Sequence, residues 1–176
     1  MRNKVFIATS FDGFIADERG DISWLTDMPS PTTGDGGFSK FMESVAAVLM
    51  GRKTYEKVLS FGIDWPYSKK VFVWTNTLGE IPINLREKVE FIRGGVQDII
   101  RFLQQKHFSS LYIDGGQTIK SLLHENLIHE IIVTQAPILL GRGIRFFANS
   151  PRVRLRHQST EVFDNGMVQS HYVVEV

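Results

Sequence analysis

Cysteine does not occur in the 176 residues. Its absence excludes disulfides, thiolate metal sites and a cysteine nucleophile. An excess of one charge is also missing, because twenty Lys and Arg stand against nineteen Asp and Glu. A formal net charge of +1 provides no global field to gather nucleic acid or an anionic membrane surface. Long apolar runs are lacking. The first one, residues 5–8, is too short for a signal peptide or a membrane span, so a cytoplasmic protein is expected. There is no Asn-x-Ser/Thr sequon, internal repeat or low-complexity tract. Neither Gly-x-Gly-x-x-Gly nor a P-loop occurs. His124 and His129 are one residue too far apart for His-Glu-x-x-His, and no other histidine has a partner at ligand spacing, so no metal site is expected.

What remains is enough chain for one domain over residues 1–176, with an apolar content ordinary for a globular protein. Apolar runs at 4–9, 45–50, 70–74, 89–92, 110–113 and 129–136 read as strands. Between them, 38–45, 54–61, 96–106 and 117–124 carry helical spacing. Residues 17–31 and 29–37 read as loops, with Trp24 and Leu25 folding back onto something apolar. Residues 153–163 and 167–176 pair across Asp164-Asn165-Gly166, a hairpin signal. Strand–helix alternation followed by a hairpin predicts an α/β fold with a mostly parallel sheet and antiparallel strands at one edge.

Ligands in such sheets sit at the carboxyl ends of the strands. Four segments follow those ends: 10–16, 51–54, 75–77 and 115–118. Gly51 allows close approach to a helix amino end, and Arg52, Lys53 and Thr54 add donors suited to phosphate. Gly115, Gly116, Gln117 and Thr118 form a second such turn, which makes a dinucleotide a better fit than a single phosphate. Thr75, Asn76 and Thr77 suit either a ribose phosphate or strand-end capping. Asp12 and Asp35 are the loop carboxylates near this face. Each is a candidate proton donor or substrate anchor. Asp12 is equally a turn residue, and Asp35 equally a cap for the helix at Phe38. Arg152, Arg154 and Arg156 alternate along one solvated strand face.

Five motifs together resemble a known family. They are Ser10-Phe11-Asp12-Gly13-Phe14-Ile15-Ala16, Gly20-Asp21-Ile22-Ser23-Trp24-Leu25, Met50-Gly51-Arg52-Lys53-Thr54-Tyr55-Glu56, Tyr112-Ile113-Asp114-Gly115-Gly116 and Pro137-Ile138-Leu139-Leu140-Gly141-Arg142-Gly143. Their order and spacing are similar to the dihydrofolate reductase-like superfamily, in particular stand-alone proteins related to the reductase domain of the riboflavin-biosynthesis deaminase/reductase. The resemblance implies a dihydrofolate reductase-like fold, NADPH as cofactor and a homodimer. It also implies roles for individual residues. Gly51, Arg52, Lys53 and Thr54 would hold cofactor phosphates, and Thr75 and Asn76 would lie beside the adenosine 2′-phosphate. Gly115, Gly116, Gln117 and Thr118 would form the diphosphate turn. Ala8 and Ile15 would flank the nicotinamide, and residues 16–24 would form a flap. The implied substrate is a pyrimidine such as 5-amino-6-(5-phosphoribosylamino)uracil, with a pterin as the alternative. A nucleotide-binding sensor without turnover is the non-enzymatic alternative.

Overall fold

The computed structural model describes residues 2–32, 34–77 and 79–175. Thr33, within the expected 29–37 loop, and Val176, the expected end of the hairpin, lie outside the described residues. β3 (Ala47–Gly51) is apolar along its length because both of its faces are covered. It is flanked by β4 (Lys70–Trp74) and β6 (Ser110–Asp114) in an eight-stranded sheet. Beyond β4 lies β5 (Val89–Ile92). Beyond β6 come β1 (Arg2–Thr9), β7 (Glu130–Gln135), β10 (Val168–Glu175) and β9 (Arg154–Val162). The strands from β5 to β7 are parallel, and β10 and β9 are antiparallel. This is the mixed sheet with a terminal hairpin that the sequence predicts.

Helices cover both faces. α2 (Phe38–Glu43) and α3 (Arg52–Ser60) bury Phe41, Met42 and Tyr55 on one face, with Tyr67, Val71 and Tyr112. α4 (Val96–Gln105) and α5 (Gly116–His124) bury Ile99, Ile100, Leu103, Ile119, Leu122 and Leu123 on the other. The chain leaves β3 toward β4 and leaves β6 toward β7, in opposite directions across the sheet. The β3–β6 boundary is therefore the topological switch point, where sheets of this kind hold their ligand in a crevice between helices on opposite faces.

Several boundaries differ from the periodicity. α3 begins at Arg52 rather than Thr54, and α5 at Gly116 rather than Gln117. The polar residues of a first turn do not show in an apolar pattern. The expected loop 17–31 contains a helical turn, α1 (Ser23–Thr26). Its Trp24 and Leu25, with Met28 just beyond it, pack on Ala136, Ile138, Phe163 and Met167, which is the fold-back expected of Trp24 and Leu25. A second small sheet pairs β2 (Phe14–Ala16) with β8 (Ile144–Arg145). A two-residue strand paired across so much chain leaves no local signal.

Asp12 holds the segment leading to β8. Its carboxylate accepts the Ser10 hydroxyl at 2.6 Å, the Leu140 amide at 3.1 Å and the Gly141 amide at 2.7 Å. The Ser10 hydroxyl, then the Gly141 and Leu140 amides, hold its pKa down at about 2, against an ordinary 3.8. A lowered folded pKa contributes stability above the ordinary value and loses it as pH falls through the folded one. Asp12→Asn is therefore expected to lower the melting temperature at pH 6. The gap to the parent should close between pH 4 and 2, as thermal melts across that range would show.

Candidate active site

Four neighbouring strands, β4, β3, β6 and β1, end side by side, and the segments after β3, β6 and β1 are in contact. A Cβ on Gly51 would stand 2.9 Å from Thr118 Oγ1. One on Gly116 would stand 2.7 Å from Ile15 Cδ1, and one on Gly115 would overlap Thr54 Oγ1. The structure thus brings Gly51, Thr54, Gly115, Gly116, Thr118 and Ile15 together, although the sequence scatters them. Gly115 has φ +90°, a conformation L side chains rarely adopt. Arg52, Lys53, Asn76 and Gln117 are exposed at the rim, whereas Thr75 is buried and donates its amide to Ile92 O at 3.0 Å. Ala8 lies near the end of β1, half-buried. Arg52 Nη1 is 3.5 Å from Glu56 Oε1 on the exposed side of α3.

The helix amino ends differ in a way that bears on anions. α3, α4 and α5 all start from the carboxyl edge of the sheet. None of the three has a side-chain cap, but α4 carries Asp98 in its first turn, whereas α3 and α5 have no acidic residue there. Their free amides and partial positive charge point at the shared crevice.

The two carboxylates expected to carry chemistry are both engaged by the chain itself. Asp12 holds the 140–141 amides, as described. Asp35 is exposed and lies ahead of α2, where its Oδ2 accepts the Ser39 amide at 2.8 Å. Hydrogen bonds from Ser39 hold its pKa below the ordinary carboxylate value. The sequence reading missed a third carboxylate, Asp114, taken only as a strand terminator. Asp114 shares the α2–α3 face with Tyr112, two residues earlier. Tyr67 Oη donates to Asp114 Oδ2 at 2.8 Å, and Tyr112 Oη donates to Phe6 O at 3.0 Å. Part of Asp114 stays accessible, but the dense packing around it raises its pKa from the ordinary carboxylate value. The bonds from Tyr67 and from the Gly115 amide pull it back. Burial, together with the Asp114 charge, raises the Tyr67 phenol in turn. An acid closing an apolar strand beside two glycines was the available signal, and Tyr67 lay in what reads as a plain turn-rich connection.

The sheet order and the crevice at its switch point define a dihydrofolate reductase-like α/β domain. Residues 4–169 match the RibD C-terminal domain, and the chain belongs to that family. It is 36% identical over 172 residues to YwjB of Bacillus subtilis (strain 168), spanning 96% of this chain and 95% of that protein. A protein of Shewanella sp. PV-4, provisionally described as a riboflavin biosynthesis protein, superposes with a TM-score of 0.94 at 45% identity over the whole of both chains. The diaminohydroxyphosphoribosylaminopyrimidine deaminase/5-amino-6-(5-phosphoribosylamino)uracil reductase of Thermotoga maritima shares the fold, with a TM-score of 0.74 at 17% identity. This chain spans 56% of that one. Among the described residues no helix is long and apolar enough to cross a membrane.

Proposed function

We propose that the protein is a cytoplasmic NADPH-dependent reductase that acts on a C=N or C=O bond of a planar heterocycle. An aminopyrimidine related to 5-amino-6-(5-phosphoribosylamino)uracil is the first candidate, ahead of a pterin. The observation that carries this reading is the contact between two uncapped helix amino ends through Gly51–Thr118 and Thr54–Gly115. That pairing suits a diphosphate bridge. Membership of the RibD C-terminal domain family supports the reaction class.

In this reading Gly115, Gly116, Gln117 and Thr118 hold the diphosphate with Gly51, Lys53 and Thr54. Arg52, Thr75 and Asn76 hold the 2′-phosphate, since Gly51 and Trp74 are register partners and bring the two strand ends side by side. Ala8 and Ile15 flank the nicotinamide. NADPH supplies the hydride when bound. We place the matching proton on Asp114 rather than on Asp12 or Asp35. Burial raises the Asp114 pKa and so favours its protonated form, whereas hydrogen bonds hold Asp12 and Asp35 toward the charged form. Asp114 regains its proton from solvent through its accessible edge. A homodimer would cover β9, which is exposed at every residue and bares Leu155 and Val162.

Titration with NADPH and NADH, read by nicotinamide fluorescence, tests the cofactor. NADPH is expected to bind more tightly. Arg52→Gln should narrow the preference by about 10-fold, because it removes a charge-assisted phosphate contact. Binding of neither nucleotide would end the reductase reading.

A further inference from the structure

Ala8 ends the row of β1 side chains on the α2 face. Alternate residues of a strand share a face, so Phe6 and Ala8 lie on the same side. Phe6 packs under α2, its ring 5.7 Å from that of Phe38 and 4.9 Å from that of Phe41. β1 lies inside the sheet between β6 and β7, yet Ala8 is only half-buried. The side-chain surface of an alanine is one methyl group, so the chain leaves a hollow over it. Asp114 ends β6, the strand beside β1, on the same face, since Tyr112 is the register partner of Lys4.

On the side of Ala8 away from Asp114 stand two neutral polar groups. Ala8 is the register partner of Thr134 on β7, and Thr134 is the register partner of Gln169 on β10. They face α2, because Ile132, two residues before Thr134, packs in the same core as Phe6 and Phe41. Gln169 Nε2 donates to Gly36 O and to Thr134 Oγ1, each at 2.9 Å. Gly36 O only accepts, so the carboxamide nitrogen must face it, and both N–H groups are then used. Gln169 Oε1 is thereby fixed beside Gly37, where a Cβ would stand 3.8 Å from it. Among the described residues Oε1 has no hydrogen-bond donor, and it is not sealed from solvent. Thr134 Oγ1 accepts from Gln169, so its own proton is left to give. An oriented acceptor thus stands beside an oriented donor at the edge of the hollow.

From this geometry we infer that, on the reductase reading above, Thr134 and Gln169 are the specificity-determining pair for the substrate ring. Gln169 Oε1 accepts a ring N–H, and the Thr134 hydroxyl donates to the carbonyl next to it. The matching substrate is an uncharged ring with a lactam edge, N–H beside C=O. A protonated amidine edge presents two donors and would need two acceptors, as a carboxylate has. The ring lies over the Ala8 methyl, read at one edge by the pair, with Asp114 toward the other. Ala8 also flanks the nicotinamide in the cofactor assignment above, so the ring sits beside the hydride donor.

The test compares 5,6-diaminouracil with its 1,3-dimethyl derivative, which has no ring N–H, on NADPH-loaded protein by calorimetry. The parent protein is expected to bind the first at least about 10-fold more tightly. Thr134→Val and Gln169→Leu should each shrink that ratio to within about 3-fold, and Thr134→Ser, which keeps the hydroxyl, should preserve it. The parent ratio and Thr134→Ser decide the matter if either of the other variants fails to fold. Equal binding of the two compounds by the parent would overturn the inference. So would variants that lose affinity for both compounds by the same factor, because the pair would then only hold the lead-in of α2 in place. NADPH binding without binding of either compound would overturn it too, and leaves the cofactor assignment standing. Failure to bind NADPH would overturn the reductase reading itself, and the inference with it.

Discussion

Asp114→Asn is expected to lower turnover by about 100- to 10,000-fold while NADPH affinity stays within roughly 3-fold of the parent. The substitution keeps shape and an acceptor for the Tyr67 hydroxyl, 2.8 Å away. It removes the proton. Stability should move the other way. A buried carboxyl with a raised folded pKa binds its proton more tightly folded than unfolded, so stability falls as pH rises from the unfolded toward the folded value. Asn does not carry that cost. The variant should therefore melt at or above the parent temperature at pH 8, with the difference shrinking below about pH 4. Loss of activity together with a lower melting temperature at pH 8 would mean that Asp114 is structural.

Tyr67→Phe gives an independent reading of the same pair. The phenol favours the ionised carboxylate, so its removal lets the Asp114 pKa rise further. The falling limb of the turnover–pH profile should shift to higher pH. The groups facing Asp114 here are Tyr67 and Tyr112, both neutral through this range because burial raises them. A limb that stays in place would separate the proton from Asp114.

Gly115→Ala should weaken NADPH binding by about 100-fold and lower the melting temperature by roughly 5–12 °C. Two effects combine. A side chain at φ +90° is strained, at about 1–3 kcal/mol. The new Cβ also runs into Thr54 Oγ1, which belongs to the first turn of α3, so the two phosphate turns must part. Removing Thr54 Oγ1 as well, in Gly115→Ala with Thr54→Ala, should recover part of the stability but little of the binding, since Thr54 is itself a donor of the site. Gly116→Ala meets only the flexible end of Ile15, and its melting temperature should change less. Equal losses at the two glycines would show that contact between the turns is not what matters. Calorimetry and fluorescence titration on the three variants decide this.

The sequence by itself determined the sheet. Runs such as 47–51 and 110–114 are apolar enough to be strands buried on both faces, and the glycines and hydroxyls after them mark the ligand edge. Asn165-Gly166 announced the terminal hairpin. These are local properties, because a strand's burial and a turn's dihedral preference are written in adjacent residues. The fate of each carboxylate is not local. Asp12, Asp35 and Asp114 each precede a glycine near a strand or helix end and look alike along the chain. Folding gives Asp12 the amides of Leu140 and Gly141, gives Asp35 the amide of Ser39, and sets Asp114 against the Tyr67 and Tyr112 phenols, the first of which it accepts. Amide donors stabilise the charged form, and desolvation disfavours it. Which carboxyl can hold a proton therefore depends on partners that in two of the three cases lie more than forty residues away, and only the tertiary structure brings them there.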